Sequence, residues 1–163
     1  MGVLFIETNV NSNLILDGIG HPLELLIRWL EDAKVAGADK PDAMNIATIG
    51  KEGQPRNRMV LMRHVTQSEI GFFTNLSSPK SKEIIANPNV SATLWWPNME
   101  RQIRIEGVAS PMDRDIVEDY FKTRPRNSQI AAWASKQSQS LESMHVLSER
   151  FQEAKKRFAG GDI

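Results

Sequence analysis

Hydrophobic and polar positions change their period twice along the chain. After a polar opening stretch with Asn9, Asn11 and Asn13, Leu23, Leu26, Ile27, Leu30 and Ala33 recur at helical spacing. Glu24, Arg28, Glu31 and Asp32 fill the opposite side, and Pro22 stands at a first helical position. This predicts an amphipathic helix of about four turns that closes near Gly37. From about residue 42 the pattern becomes strand-like. Residues 43–49 predict a strand, 50–55 a Gly-rich turn, and Asn57 to His64 a second strand, together a hairpin. Residues 70–74 predict a third strand, and Ser78-Pro79 opens a short helix through Ile84 and Ile85 that Asn87-Pro88 stops. Val90 to Trp96 and Arg101 to Ala109 complete five strands.

Beyond Pro111 the period is helical again. One helix runs from about Asp113 to Arg124, where Pro125 ends it, and a short one covers 128–134. A last helix is expected to start at Ser138 or Ser140. Its stripe of Met144, Leu147, Phe151, Ala154 and Phe158 is read as a face packed on the sheet, with a coiled-coil contact as the lesser reading. Five strands joined by tight turns imply an antiparallel sheet, either open or closed as a small barrel. Its edges would be covered by the C-terminal helices or by another chain. Residues 1–20 are expected to form a flexible arm, and 21–163 a single domain.

Composition narrows the function. The 163 residues carry 20 Lys+Arg against 20 Asp+Glu, with 40% hydrophobic and 25% charged positions, as in soluble globular proteins. Zero net charge argues against a protein that coats nucleic acid. The absence of cysteine excludes disulfides, thiolate catalysis and Cys-ligated metal. His21, His64 and His145 are too scattered to predict a metal site. No leader or membrane span is visible, so a cytoplasmic location is expected.

Two clusters of cations could carry chemistry. Arg58 and Arg63 lie on the second strand five residues apart and point to opposite faces of a regular strand. A bulge or the strand end would be needed to bring both to one ligand. Lys80 and Lys82 fall in the first turn of the helix at Ser78, where cations oppose the helix dipole unless an anion is shared. The plainer reading is two solvated lysines and two strand arginines. The second cluster is Tyr120, Arg124, Arg126 and Ser128, in which Tyr120 and Arg124 share a helix face and would grip a phosphate or carboxylate. Its plainer reading is a helix C-terminus decorated by arginine.

Five strings then carry a resemblance: Arg58 to Arg63, Phe72 to Lys80, Glu100-Arg101-Gln102, Tyr120 to Ile130, and Trp133 to Ser138. They resemble the pyridoxine/pyridoxamine 5′-phosphate oxidase family from about residue 22 to 162. The resemblance implies a mainly β fold with flanking helices, the antiparallel FMN-binding split β-barrel. It also implies a homodimer with FMN at the interface, and oxidation of a phosphorylated B6 vitamer to pyridoxal 5′-phosphate with O2 as acceptor. Carried over, Arg58, Arg63, Lys80 and Thr74 would hold the FMN phosphate and ribityl chain, with Met59, Val60 and Phe73 beside them. Gln102 would hydrogen-bond the flavin ring, and Gln137 and Ser138 would reach FMN from the other subunit. Tyr120, Arg124 and Ser128 would grip the substrate phosphate together with Arg63. Arg63 stands where the family usually has Lys, Phe73 where a Tyr is common, and Pro79 where it usually has Arg.

The family continues past the last helix into strands with a Trp at FMN and an Arg-Leu-His segment at the substrate, whereas this sequence stops at Gly161-Asp162-Ile163. Catalytic residues are therefore left unassigned. A truncated chain, an omitted disordered tail and a naturally short relative remain open. The alternatives to the oxidase are a weakly active or non-catalytic binder of FMN or pyridoxal phosphate, and a flavin oxidoreductase for another substrate, such as a phenazine.

Overall fold

The computed structural model describes residues 20–135, 137–138 and 140–163, together with the backbone of 2–7. In chain order the elements are β1 (Gly2–Glu7), α1 (Pro22–Val35), β2 (Ala43–Ile49), β3 (Pro55–Val65), β4 (Glu69–Thr74), α2 (Pro79–Ala86), β5 (Asn89–Trp96), β6 (Arg101–Pro111), α3 (Arg114–Thr123), α4 (Arg126–Ala134) and α5 (Met144–Arg157).

All strand pairings are antiparallel, in the order β1-β4-β3-β2-β5-β6. The barrel closes because β1 pairs with β4 along one side and with β6 along the other. This corrects two expectations. Among the described residues the sheet has six strands, and residues 2–7 belong to the barrel instead of to a flexible arm; residues 8–19 lie outside the described residues. The signal was the apolar run Val3-Leu4-Phe5-Ile6, which sits at a chain terminus, and closing a barrel leaves no edge to cover.

The β2–β3 hairpin forms where the Gly-rich turn was expected. Gly53 takes φ 82°, the left-handed region that glycine enters at little steric cost. Alternation along the strands then sorts side chains. Met44, Ile46 and Thr48 of β2, and Val90, Ala92, Leu94 and Trp96 of β5, point inward and are buried. Helix α1 buries Leu23, Leu26, Leu30 and Ala33 in the same core. Two contacts anchor its outer side: Trp29 meets Trp96 edge-on at 6.3 Å, and Arg101 reaches Asp32 at 2.6 Å while lying over the Trp29 ring.

The C-terminal helices differ from expectation in two respects. α5 begins after Ser143, whose hydroxyl accepts from the Val146 amide, so the cap is Ser143 and not Ser138 or Ser140. Its apolar stripe meets α4 instead of the sheet, with the Phe158 ring 5.3 Å from Trp133 and Arg157 over both rings. Met144, the first residue of the stripe, is exposed.

Because Leu26 is 1% exposed at the centre of the core, Leu26→Ala should destabilise the fold by about 2–5 kcal/mol through lost burial and the cavity left behind. Urea denaturation at constant slope measures that difference.

Candidate active site

The site begins with the two faces of β3. Even-numbered residues turn inward, so Met62 is buried and Val60 packs on the core. Odd-numbered Met59, Leu61 and Arg63 stand on the outer face. At Arg63 the ladder slips: Met62 pairs with Phe72 and His64 with Gly71, which leaves Arg63 as the extra residue of a β-bulge. Bulges re-aim side chains, and here the guanidinium joins the wall of a cleft of about 810 Å³. Met59, Val60, Leu61, Arg63, Phe73, Thr74, Lys80, Tyr120, Arg124, Ser128 and Gln137 all line this cleft. It therefore gathers half of the first cluster, Arg63 and Lys80, and most of the second onto one surface.

The inner end of the cleft is built by the β4–α2 corner. Lys80, in the first turn of α2, is buried at 7% exposure, and its ammonium donates to Thr74 Oγ1 at 3.1 Å and to Ser78 Oγ at 3.4 Å. Both acceptors are neutral hydroxyls on buried residues. Burial pulls the Lys80 pKa below the ordinary lysine value, and the charge of Arg58 pulls it the same way; the Glu83 carboxylate opposes both. The solvated-lysine reading thus fails for Lys80, while Lys82 is exposed. Ser78 precedes the helix without a side-chain bond to its free amides, and Pro79 supplies the first turn. A buried cation, two hydroxyls and a helix N-terminus together form a donor set that suits an anion.

Arg58 stands apart from this cleft. It lies on the inner face of β3, where Nη2 meets Glu83 Oε2 at 2.9 Å and Nη1 donates to Thr48 Oγ1 at 2.5 Å. Arg56 holds the other carboxylate oxygen at 3.0 Å, and the Thr48 hydroxyl donates to Oε2 at 2.6 Å. Burial alone would raise the Glu83 pKa; the hydrogen bonds from Thr48 and Arg58 and the two arginine charges outweigh it and hold the carboxyl ionised. The bulge does not bring Arg58 and Arg63 together, because it re-aims Arg63 alone. Sequence reasoning missed Glu83. Its signal was position: Lys80, Ser81, Glu83 and Ile84 share the buried face of α2, an unusual place for polar residues.

The second cluster divides. Tyr120, Arg124 and Ser128 line the cleft together with Thr123 and Pro125. Tyr120 lies flat on Phe73, with ring centroids 3.5 Å apart and planes at 15°, so α3 is tied to β4 by the pair. Arg126 turns away, its guanidinium donating to the carbonyls of Phe158 and Gly161. It clamps the end of α5 and belongs to the structural reading. Gln137 reaches the cleft within its own chain: its Oε1 accepts from Thr74 Oγ1 at 3.2 Å and from the Asn75 amide at 2.9 Å. Ser138 follows in a left-handed turn with φ 62°, exposed at the surface. Gln102 lies outside the cleft. It is paired across from Trp95 and points outward as Met59 does, but β6 stands three strands from β3 either way around the six-stranded barrel, so the two side chains leave opposite sides of it.

Known proteins resemble this chain in sequence and in fold. Residues 30–158 match the family described as pyridoxamine 5′-phosphate oxidase. The chain is 42% identical over 147 residues to a pyridoxine/pyridoxamine 5′-phosphate oxidase of Teredinibacter turnerae, covering 90% of this chain and 70% of that protein. It is 38% identical over 160 residues to the protein of the same name from Microcystis aeruginosa, covering 98% and 75%. Among solved structures, PhzG from Burkholderia lata, crystallised with tetrahydrophenazine-1-carboxylic acid, superposes with a TM-score of 0.81 at 26% identity over 89% of this chain and 74% of that one. A pyridoxamine 5′-phosphate oxidase-related, FMN-binding protein from Nostoc punctiforme shares the fold, with a TM-score of 0.64 at 16% identity over 78% and 71%. With the barrel and the match over most of its length, the chain belongs to the pyridoxamine 5′-phosphate oxidase family and has the antiparallel split-barrel fold.

Proposed function

We propose that this chain binds FMN and oxidises pyridoxamine or pyridoxine 5′-phosphate to pyridoxal 5′-phosphate, passing the electrons to O2. The observation that carries the reading is that one cleft is lined by two groups of donors from different elements, Lys80 with Thr74 and the Tyr120–Arg124–Ser128 set, with Arg63 on the same lining. A flavin mononucleotide and a phosphorylated vitamer each bring one phosphate. Two anchors on different elements would hold the two molecules at a defined separation, which is what transfer between them requires.

The residues present fit an FMN phosphate. Among the described residues Lys80 is a buried cation hydrogen-bonded to hydroxyls, and a phosphate would supply its counter-charge. Thr74 and the α2 N-terminus would add donors, and Met59, Val60 and Phe73 an apolar flank along the cleft. When bound, FMN supplies the hydride-accepting ring and the route to O2. Gln102, on the opposite side of the barrel and outside this cleft, is proposed to hydrogen-bond that ring from a second chain. Arg58 is proposed to act on the phosphate through its charge beside Lys80. On the helical side of the cleft, between α3 and α4, Tyr120, Arg124 and Ser128 would fix the vitamer phosphate, and Arg63 would serve both ligands.

A homodimer is part of the proposal. Met59 at 61% and Trp95 at 53% exposure stand on the uncovered outer face of the barrel, where a second copy would bury them and close FMN between two chains. In that arrangement Ser138 of each chain would reach the flavin bound on its partner, while Gln137, expected to do the same, is held in the cleft of its own chain by Thr74 and Asn75.

A second reading rests on the likeness to PhzG, whose crystals hold a tetrahydrophenazine carboxylic acid. An aromatic carboxylate would use the Arg124 anchor in place of a phosphate. Aerobic turnover decides between them. Peroxide release with pyridoxamine 5′-phosphate and none with a dihydro- or tetrahydrophenazine carboxylate supports the vitamer. The reverse selects the phenazine reading, and tight binding of both without turnover favours a carrier.

The two anchors should separate by mutation. Lys80→Gln removes charge-assisted bonds of about 1.5–3 kcal/mol each and should weaken FMN binding roughly 10- to 100-fold, read by quenching of flavin fluorescence. Arg124→Ala should weaken pyridoxal 5′-phosphate by a similar factor while FMN stays within about two-fold. FMN affinity should also fall as pH rises through the lowered Lys80 pKa, below the range of an exposed lysine, because the cation is lost there. Lys80→Gln should remove that fall. Folding responds with the opposite sign. Between the lowered pKa and the ordinary 10.5 the unfolded chain holds more protons, so the Lys80 contribution to stability rises with pH.

A further inference from the structure

The bulge that delivers Arg63 to the cleft is held from behind by one residue that no functional reading has assigned. Asp42 precedes β2 and touches β3 twice. Its carbonyl accepts from the Met62 amide at 2.8 Å, and its carboxylate meets Arg63 Nη1 at 2.8 Å. The two contacts bracket the bulge, one on the residue before the extra position and one on the extra residue itself. Asp42 Oδ2 is buried and makes no well-aligned hydrogen bond, so the ion pair with Arg63 is its compensation among the described residues. An oxygen of a part-buried carboxylate left without its partner carries a desolvation cost, and this cost works to keep the guanidinium in place.

The position of the pair gives it a use. Arg63 and Leu61 form a wall between the cleft and a second cavity of about 480 Å³, which Asp42 lines from the far side together with Lys34, Lys40 and Leu30. A guanidinium has five donors in a planar fork. With Nη1 engaged by Asp42, its other donors remain for the cleft. A free arginine at a half-exposed site would have to lose rotamer freedom on binding, and here that ordering precedes the ligand.

We propose that Asp42 is a positioning residue that pre-orders Arg63 for the phosphate of the bound vitamer. The inference rests on the reading that Arg63 shares in holding that ligand. The effect of Asp42 would pass through Arg63 alone, so the two residues should be non-additive.

The test is a double-mutant cycle on FMN-loaded protein. Pyridoxal 5′-phosphate affinity is measured for the unsubstituted chain, D42N, R63A and D42N/R63A in about 0.3 M salt, where the added charge of D42N is largely screened. D42N should weaken binding three- to ten-fold, and D42N in the R63A background should change it by less than two-fold. A second readout needs no ligand. Phenylglyoxal modification of Arg63, followed by peptide mass mapping, should run several-fold faster in D42N, because the ion pair no longer holds the guanidinium. Unchanged or tighter binding in D42N, or an equal loss in both backgrounds, overturns the proposal. If the unsubstituted protein binds no vitamer, the functional reading fails instead. The modification rate of Arg63 then decides the role of Asp42: an unchanged rate refutes it and a faster one upholds the grip.

Discussion

Lys80 is a cation buried where the β4 strand turns into α2, and its hydrogen bonds end on the Thr74 and Ser78 hydroxyls. The nearest carboxylate, Glu83, is already held by Arg56, Arg58 and Thr48. This corner therefore contains three cations, Arg56, Arg58 and Lys80, against a single anion. Such an arrangement is expensive without a ligand and stabilising with one, because burial strengthens any charge-assisted bond formed there. The barrel, the α2 N-terminus and the approach of α3 and α4 all frame this corner.

The architecture keeps the burden of charge away from the core by alternation. A single strand, β3, contributes Met62 and Val60 to the interior, Arg58 to the end of the barrel under α2, and Arg63 to the outer cleft. A period-2 strand offers only two faces, and Arg63 leaves by the outer one with Met59 and Leu61, at the residue where the ladder slips. On the other wall, α3 buries no residue fully, and the Phe73–Tyr120 stack ties it to β4. That stack sets how far the second anion group stands from the first. It couples a packing contact to the spacing of the two ligands.

Much of this was legible in the sequence where local physics decides. Helix α1, the β2–β3 hairpin and the α2 start follow from periodicity, Pro22, Gly53 and Ser78-Pro79, and each formed where expected. The candidate residues Arg63, Thr74, Lys80, Tyr120, Arg124 and Ser128 do converge on one cleft. What the sequence hid were pairings between distant segments. Nothing local to Val3-Leu4-Phe5-Ile6 says that it closes a barrel between β4 and β6. Nothing beside Glu83 says that it takes Arg58 and Arg56 from positions 25 and 27 residues earlier. Arg126 looked like an anchor beside Arg124, and its partners are carbonyls more than 30 residues on. The α5 stripe was read correctly as apolar and wrongly placed on the sheet, because periodicity names a buried face and not what covers it.

The central claim is that one cleft holds two phosphate-bearing ligands at once, each on its own group of residues. Equilibrium dialysis of the protein with FMN and pyridoxal 5′-phosphate together tests it most directly. The account predicts that saturating FMN leaves vitamer binding intact, with one of each bound per chain. Mutual displacement, in which each equivalent of FMN expels one of pyridoxal 5′-phosphate, would show that the two cation groups form a single site and would contradict it.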